Sequence, residues 1–363
     1  KDLLRIARAG GVRILGPNCV GVYHPKVGLS FSSDNPRESG PAAFICQSGG
    51  NAIYTVRAAA CRGIRFTKAV SYGNALDIDE SELLMYFGHD SETEVVAAYI
   101  EGVKDGKRFY RTLREVAAVK PVIVLKAGRT EAGARAAASH TSALAGSEKV
   151  WDRLLHQAGA IRVESTDEIV DMLVAFSYLR LPGGRRVGVW GGGGGLSVMM
   201  LDEYSAAGFA LPASPQRLQQ EVREEIRPFV NTDAGFILNN PFDLTTLNSA
   251  EGHYRVLKKL AAHEGFDLMV GQVSINNSGW PHKDFGLSVW PDFFTDAAIR
   301  VHGETGKPVA VIIHSVLSNW DSDRAVTLQR KCSDAGLPVF RSIPSAAKAM
   351  NRFLGYHERR NEI

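Results

Sequence analysis

One histidine stands in a run of small residues, ARAAASHTSALAGSEK, residues 134–149. A neutral imidazole is a good nucleophile, above all when a carboxylate orients its second nitrogen. His140 has the setting for that chemistry. It follows a stretch that reads as a buried strand, and Ala136 to Ala138, Ser142, Ala143 and Ala145 leave space for a reacting group. A candidate partner is Glu101 in YIEGVKDG, placed just past a strand expected over 94–100. The plainer uses of these residue types are a satisfied loop histidine and a solvated turn carboxylate.

Two glycine turns add a second kind of chemistry. In FICQSGGNAIYTV a strand runs through Gln47, Ser48, Gly49 and Gly50 into a helix. In GVWGGGGGLSVMM a strand runs through Gly191 to Gly195, with Gly193 and Gly194 at the centre, into another helix. The first N–H groups of a helix lack intrahelical partners and carry partial positive charge, so they attract phosphate or carboxylate. Glycine lets an anion come close to that backbone. Each turn alone could be simple packing; two in matched positions favour anion binding. Two helix N-termini and a nucleophilic histidine together suit a phosphohistidine.

Competing chemistries lack their residues. A dinucleotide fingerprint would need glycine at 196 or 197, where Leu196 and Ser197 stand, and the next strand ends without an acidic residue for a ribose. Neither glycine cluster leads into Gly-Lys-Ser/Thr. No HxxxH, Cys–His cluster or GxSxG occurs, so no metal site and no serine hydrolase is expected.

These residues must be positioned by strands and helices, which alternate almost throughout. AAFIC, FTKAVS, EVVAAYI and PVIVLKAG read as strands, with helices over GGNAIYTVRAAACRG, DESELLMYFGHD and GKRFYRTLREVAAV between them. Continuous apolar strands separated by helices specify parallel sheets covered on both faces. The opening KDLLRIARAGGVRILGPN reads as a helix tail followed by a strand. The turn LPGGRR at 181–186 is the expected boundary, after which the alternation restarts. The fold expected is α/β: two doubly wound, flavodoxin-like parallel-sheet domains, about 1–180 and 185–355. In such sheets ligands bind beyond the carboxyl ends of the strands.

Composition bounds the rest. The 363 residues are 45% hydrophobic and 22% charged, as in soluble globular chains of about two domains. A net charge of +3 argues against nucleic acid or a membrane surface as partner. Four cysteines at 19, 46, 61 and 332 form no framework, which places the chain in a reducing cytoplasm. No apolar run reaches the roughly 20 residues of a membrane span. Asp79 is expected to cap a helix and Asp77 to serve a turn. The loop Asn276-Asn277-Ser278 and Trp280 are more plainly loop structure than a substrate pocket.

Several stretches together resemble a family. GPNCVG (16–21), ICQSGGNA (45–52), VSYGNALDIDESELLMYFGHD (70–90), YIEGVKDGKRF (99–109), VLKAGRTEAGARAAASHTSALAGS (124–147) and NPFDL (240–244) are similar to the NDP-forming acyl-CoA synthetases, relatives of succinyl-CoA synthetase and ADP-forming acetyl-CoA synthetase. The resemblance implies an acid–CoA ligase. Such an enzyme interconverts acyl-CoA, phosphate and NDP with a carboxylic acid, CoA and NTP through an acyl phosphate and a phosphohistidine. It implies His140 as the phosphorylated residue and Glu101 as the carboxylate that steadies it. Ser48, Gly49 and Gly50 match one phosphate-facing helix start, and Gly193 and Gly194 the other. Asn18 matches the turn near the CoA thiol.

The implied substrates are coenzyme A, a small-molecule acid, phosphate and ATP or ADP with Mg²⁺. The chain reads as the central portion of a larger enzyme. An N-terminal CoA-binding Rossmann domain and an ATP-grasp module, which holds the nucleotide, are expected elsewhere, in the same chain or in a homo- or hetero-oligomeric partner. Two positions depart from the family pattern. Ser142 stands where glycine follows SHT, and five glycines replace a turn nearer NAGGPG. The alternative reading is a non-catalytic relative that binds CoA or an acyl group without transferring phosphate.

Overall fold

A computed structural model describes residues 2–133, 135, 148–191, 193–231, 235–275, 290–314 and 319–361. The chain divides into two units, Lys1–Leu173 and Val174–Asn361. The division falls inside the helix Thr166–Tyr178, upstream of the LPGGRR turn.

In the first unit, helix α1 (Asp2–Ala9) precedes six strands: β1 (Gly21–Tyr23), β2 (Ala42–Cys46), β3 (Phe66–Ser71), β4 (Val95–Ile100), β5 (Val122–Lys126) and β6 (Ile161–Val163). They form one sheet in the order β1-β3-β2-β4-β5-β6. All neighbours are parallel except β1, which runs antiparallel to β3. Every residue of β2 and β5 is buried, because helices cover both faces. Helices α2 (Gly49–Ala60), α3 (Glu80–His89) and α4 (Gly106–Val119) follow β2, β3 and β4. Each starts where the sequence supplies a cap. Ser48 accepts from Asn51 N–H at 3.3 Å, Asp79 from Glu82 N–H at 3.0 Å, and Asp105 from Arg108 N–H at 2.9 Å. On one side of the sheet Phe87, Phe109, Leu113 and Trp151 pack on Ile45, Val96 and Val124.

Strand order fixes where a site can form. The chain steps from β2 to β3 on one side, then crosses to β4 on the other. The carboxyl ends of β2 and β4 therefore flank a topological switch point, the usual ligand crevice of this architecture.

The second unit repeats the plan. Strands β7 (Val187–Gly191), β8 (Ile237–Leu238), β9 (Phe242–Asp243), β10 (Leu268–Ser274), β11 (Val309–His314) and β12 (Val339–Phe340) lie in the order β12-β11-β10-β7-β9-β8. Only β8 is antiparallel, on β9. Helix Gly194–Ala206 follows β7, so the switch point lies between β7 and β10. Trp190 stacks on Phe294 at 5.1 Å in the core, and a Cβ on Gly271 would lie 2.4 Å from both side chains.

Two readings differ from the structure. Residues 12–15 form no strand. Ile14 N–H donates instead to Asp77 Oδ2 at 3.0 Å and Ile14 O accepts from Ile78 N–H at 3.2 Å, so a loop consumes the groups a strand would pair. The short strands β1, β8 and β9 are too brief to leave a periodic signal in the sequence.

Candidate functional site

The first unit gathers its unusual turns on one sheet edge. Past β2, Gln47 N–H donates to Tyr99 O at 3.0 Å, the last main-chain tie between β2 and β4. The Gln47 side chain, 5% exposed, then accepts from Glu101 N–H at 2.7 Å and Gly102 N–H at 3.2 Å. Tyr72 O–H reaches the same oxygen at 3.4 Å. Ser48 caps α2 beside this knot, while Gly50 has open space where a Cβ would project. The helix N-terminus is thus presented at the crevice with Glu101 next to it.

Glu101 is half-buried. Its Oε1 accepts from Tyr99 O–H at 3.5 Å, and its Oε2 is buried with no hydrogen-bond partner among the described residues. Burial and the Glu101 charge push the Tyr99 phenol up to about 12, so Tyr99 acts as a neutral donor. Burial also raises the Cys46 thiol far above its usual range; its Sγ donates to Ser48 O at 3.0 Å and is unreactive there. Lys126, at the end of β5, is 2% exposed. Its ammonium lies 5.2 Å above the Trp151 ring and donates to Ala127 O, and burial lowers its proton affinity. It faces Glu101 and Glu148, which oppose that fall.

Asn18 joins the same edge. It adopts a left-handed backbone, φ 56°, after a cis Gly16–Pro17 peptide. Asn74 N–H donates to Pro17 O at 3.0 Å and Leu76 N–H to Gly16 O at 2.8 Å, docking the turn onto the end of β3. Gly73 makes this approach possible. Its φ is 53°, and a Cβ would lie 2.3 Å from both Pro17 O and Asn18 O. Asp77 does more than form a turn: it pairs with Arg8 and Arg13 at 3.1 and 2.8 Å and binds Ile14 N–H. The Arg13 bond leads the causes that hold its carboxyl well below the usual carboxylate range.

In the second unit, Gly193 has φ 91° and precedes helix Gly194–Ala206 without a side-chain cap. Its N–H donates to Thr245 Oγ1 at 3.0 Å, and Thr245 O–H donates to Asp243 Oδ1 at 2.5 Å. The Gly193 N–H is therefore occupied by protein, and the unpaired donors of this helix start at Gly194. The buried Asn240 ties NPFDL to β7: its Oδ1 accepts from Val189 N–H at 2.8 Å and its Nδ2 donates to Val187 O at 2.9 Å.

The structure thus brings Ser48, Gly49, Gly50, Glu101 and Asn18 to one edge of the first sheet, and Gly193 and Gly194 to the switch point of the second. His140, Ser142, Asn276 to Ser278 and Trp280 lie outside the described residues. Gln47, Tyr99, Lys126 and Thr245 were given no role by sequence reasoning. Only Gln47 carried a signal, as a long polar residue immediately before an N-cap. Among the described residues no three His, Cys, Asp or Glu side chains gather as a metal site, and no helix is long and apolar enough to cross a membrane.

Residues 39–176 match the family described as succinyl-CoA ligase like flavodoxin domain. The chain is 33% identical over 351 residues to the acetate–CoA ligase [ADP-forming] II subunit alpha of Pyrococcus furiosus, covering 96% of this chain and 72% of that protein. It is 32% identical over 269 residues to the 4-hydroxybutyrate–CoA ligase [ADP-forming] of Nitrosopumilus maritimus, covering 72% and 37%. The dinucleotide-forming acetyl-coenzyme A synthetase 1 of Ca. Korarchaeum cryptofilum, solved with phosphate and ADP, superposes with a TM-score of 0.79 at 29% identity, over 99% of this chain and 74% of that one.

Proposed function

Because the chain belongs to the NDP-forming acyl-CoA synthetase family, we propose that it is the phosphoryl-transferring portion of an acid–CoA ligase. The observation that carries this reading is the knot at the first switch point: an open helix N-terminus capped by Ser48, beside a carboxylate whose buried Oε2 has no donor among the described residues. A phosphate seated at that N-terminus meets partial positive charge. We assign that open acceptor to the second N–H of the His140 imidazole.

The steps follow from these groups. A phosphate oxygen attacks the thioester carbonyl, the CoA thiolate leaves, and an acyl phosphate forms. Asn18 and its turn hold the thiol end of CoA near the carbonyl. The nucleophilic nitrogen of His140 then attacks phosphorus and the P–O bond to the acyl group breaks, releasing the carboxylate. Glu101 accepts the other imidazole N–H and stabilises the charge that develops there. Ser48, Gly49 and Gly50 receive the phosphoryl oxygens at the first switch point, and the helix turn from Gly194 offers a phosphate-receiving start of its own in the second unit. The phosphohistidine passes its phosphoryl group to NDP on an ATP-grasp module or subunit that works with this chain. The relative from Pyrococcus furiosus carries the name of a subunit alpha, which supports a partner subunit here.

The test uses the protein with its partner module. Incubation with γ-labelled ATP and Mg²⁺ should leave acid-labile, base-stable label on His140, discharged by CoA plus the correct acid. The His140→Ala protein should take up none. Normal turnover by that variant overturns the histidine relay. A folded protein that binds CoA but never acquires label would be the non-catalytic relative instead.

A further inference from the structure

Gln47 is a buried polar side chain at this edge whose part in the reaction nothing above assigns. It occupies the place where β2 and β4 stop pairing. The ladder ends with Cys46 opposite Tyr99, and Gln47 N–H adds one bond to Tyr99 O. Beyond that point the N–H groups of Glu101 and Gly102 would be orphaned. The Gln47 side-chain oxygen takes both, at 2.7 and 3.2 Å.

The amide can sit only one way round. An oxygen offers two lone pairs, and two backbone donors fill them; the flipped amide would face N–H against N–H. With Tyr72 O–H also at 3.4 Å, the oxygen is fixed from β3 and β4 at once. The consequence falls on Glu101. Its backbone is clamped, and its carboxylate is held with Oε2 buried and without a partner among the described residues. An unpaired buried carboxylate oxygen is costly and persists only where its surroundings over-determine it.

We infer that Gln47 is a positioning residue of the transfer reaction: through the 101–102 backbone it keeps the Glu101 carboxylate aimed at the group it steadies. The inference rests on the role given to Glu101 above.

Two substitutions separate this from a plain strand tie. Gln47→Met keeps length and volume but removes the acceptor, leaving two backbone donors unpaired. Gln47→Glu keeps the acceptor and both bonds but adds a negative charge beside Glu101. Among the described residues the other titratable groups facing Glu101 are Cys46 on β2, Tyr72 after β3, Tyr99 on β4 and Lys126 on β5, and the reading above adds the His140 imidazole. The first three are neutral near pH 7, and Lys126 is already shared between Glu101 and Glu148, so among the described residues the charge added at 47 gains no cation of its own and protons bind the pair more tightly.

The experiment uses the complete enzyme with its partner module, run from acetyl-CoA or another accepted acyl-CoA with phosphate and ADP. Gln47→Met should lower kcat at least about tenfold, as small misplacements of reacting groups do, with KM for acyl-CoA unchanged. Gln47→Glu should melt below the parent at pH 8 and approach it as the pH falls, because the added carboxylate is buried, and should shift the acid limb of its kcat profile to higher pH by about one unit. A parental pH profile in Gln47→Glu, with parental kcat in Gln47→Met, overturns the inference while leaving the ligase reading intact. A wild-type enzyme that turns over no acyl-CoA overturns the ligase reading, and this inference with it.

Discussion

Arg62, just beyond α2, donates from Nη1 to Asp171 Oδ1 at 3.0 Å, with both side chains less than a tenth exposed. Both ions belong to the first unit, and Asp171 lies in the helix Thr166–Tyr178. Burying two charges is costly, and removing one strips the other of this counter-ion. Asp171→Ala should cost about 3–5 kcal/mol of unfolding free energy. The double replacement Arg62→Met, Asp171→Leu should recover most of that loss. Urea unfolding of the three proteins measures both; equal stability of Asp171→Ala and parent would refute the pair's weight.

Glu101→Gln keeps the shape of the side chain and its backbone bonds to Gln47 but removes the charge. Acyl-CoA binding should be unaffected, whereas kcat should fall about 10²–10³-fold, the range for losing a positioned charge or proton acceptor. Steady-state kinetics in the direction of NTP formation decide it. A KM change with unchanged kcat would assign Glu101 to binding alone.

Glu80, the first residue of α3, is 3% exposed, and burial raises its carboxyl to about 7 against an ordinary value near 4.5. The neighbouring Asp79 raises it further, while its own backbone N–H, Lys104 and Arg108 oppose the shift. The folded state therefore holds a proton that the unfolded state has released between pH 4.5 and 7. Stability from this group is complete below pH 4.5 and is lost as pH rises through 7. Glu80→Gln should match the parent at pH 4.5 and exceed it by about 2–3 kcal/mol at pH 8. Thermal or urea melts across that range would show a constant difference if the reasoning fails.

Gly73→Ala forces a Cβ against two carbonyl oxygens in a left-handed backbone. The turn that carries Asn18 must then move away from the end of β3. A loss of at least about 2 kcal/mol is expected, together with weaker binding of CoA, read by calorimetry. Unchanged CoA affinity in a destabilised protein would remove Asn18 from the CoA site.

Much of this was legible in the sequence. Uninterrupted apolar runs such as AAFIC and PVIVLKAG can be buried on both faces only in a parallel sheet, and the capping residues Ser48, Asp79 and Asp105 mark their helices. Glu101 and the Ser48 turn could be placed on one edge because each follows a strand. Gln47 could not be given its part, since its partners are fifty-four and fifty-five positions away in the chain. The glycine run marks Gly193 as part of an anion-facing turn; that its N–H also bonds to Thr245 Oγ1, from a distant loop, is a competition that spacing does not reveal.

Both sheets end on strands of two or three residues: β1 and β6 in one, β8 and β12 in the other. Such stubs expose few free backbone groups, and in each sheet one of them runs against the rest. Among the described residues neither sheet offers the long flat margin along which another chain could continue the ladder. Edges this short resist fibril-like stacking, because a neighbouring chain would find only two or three residues to pair with.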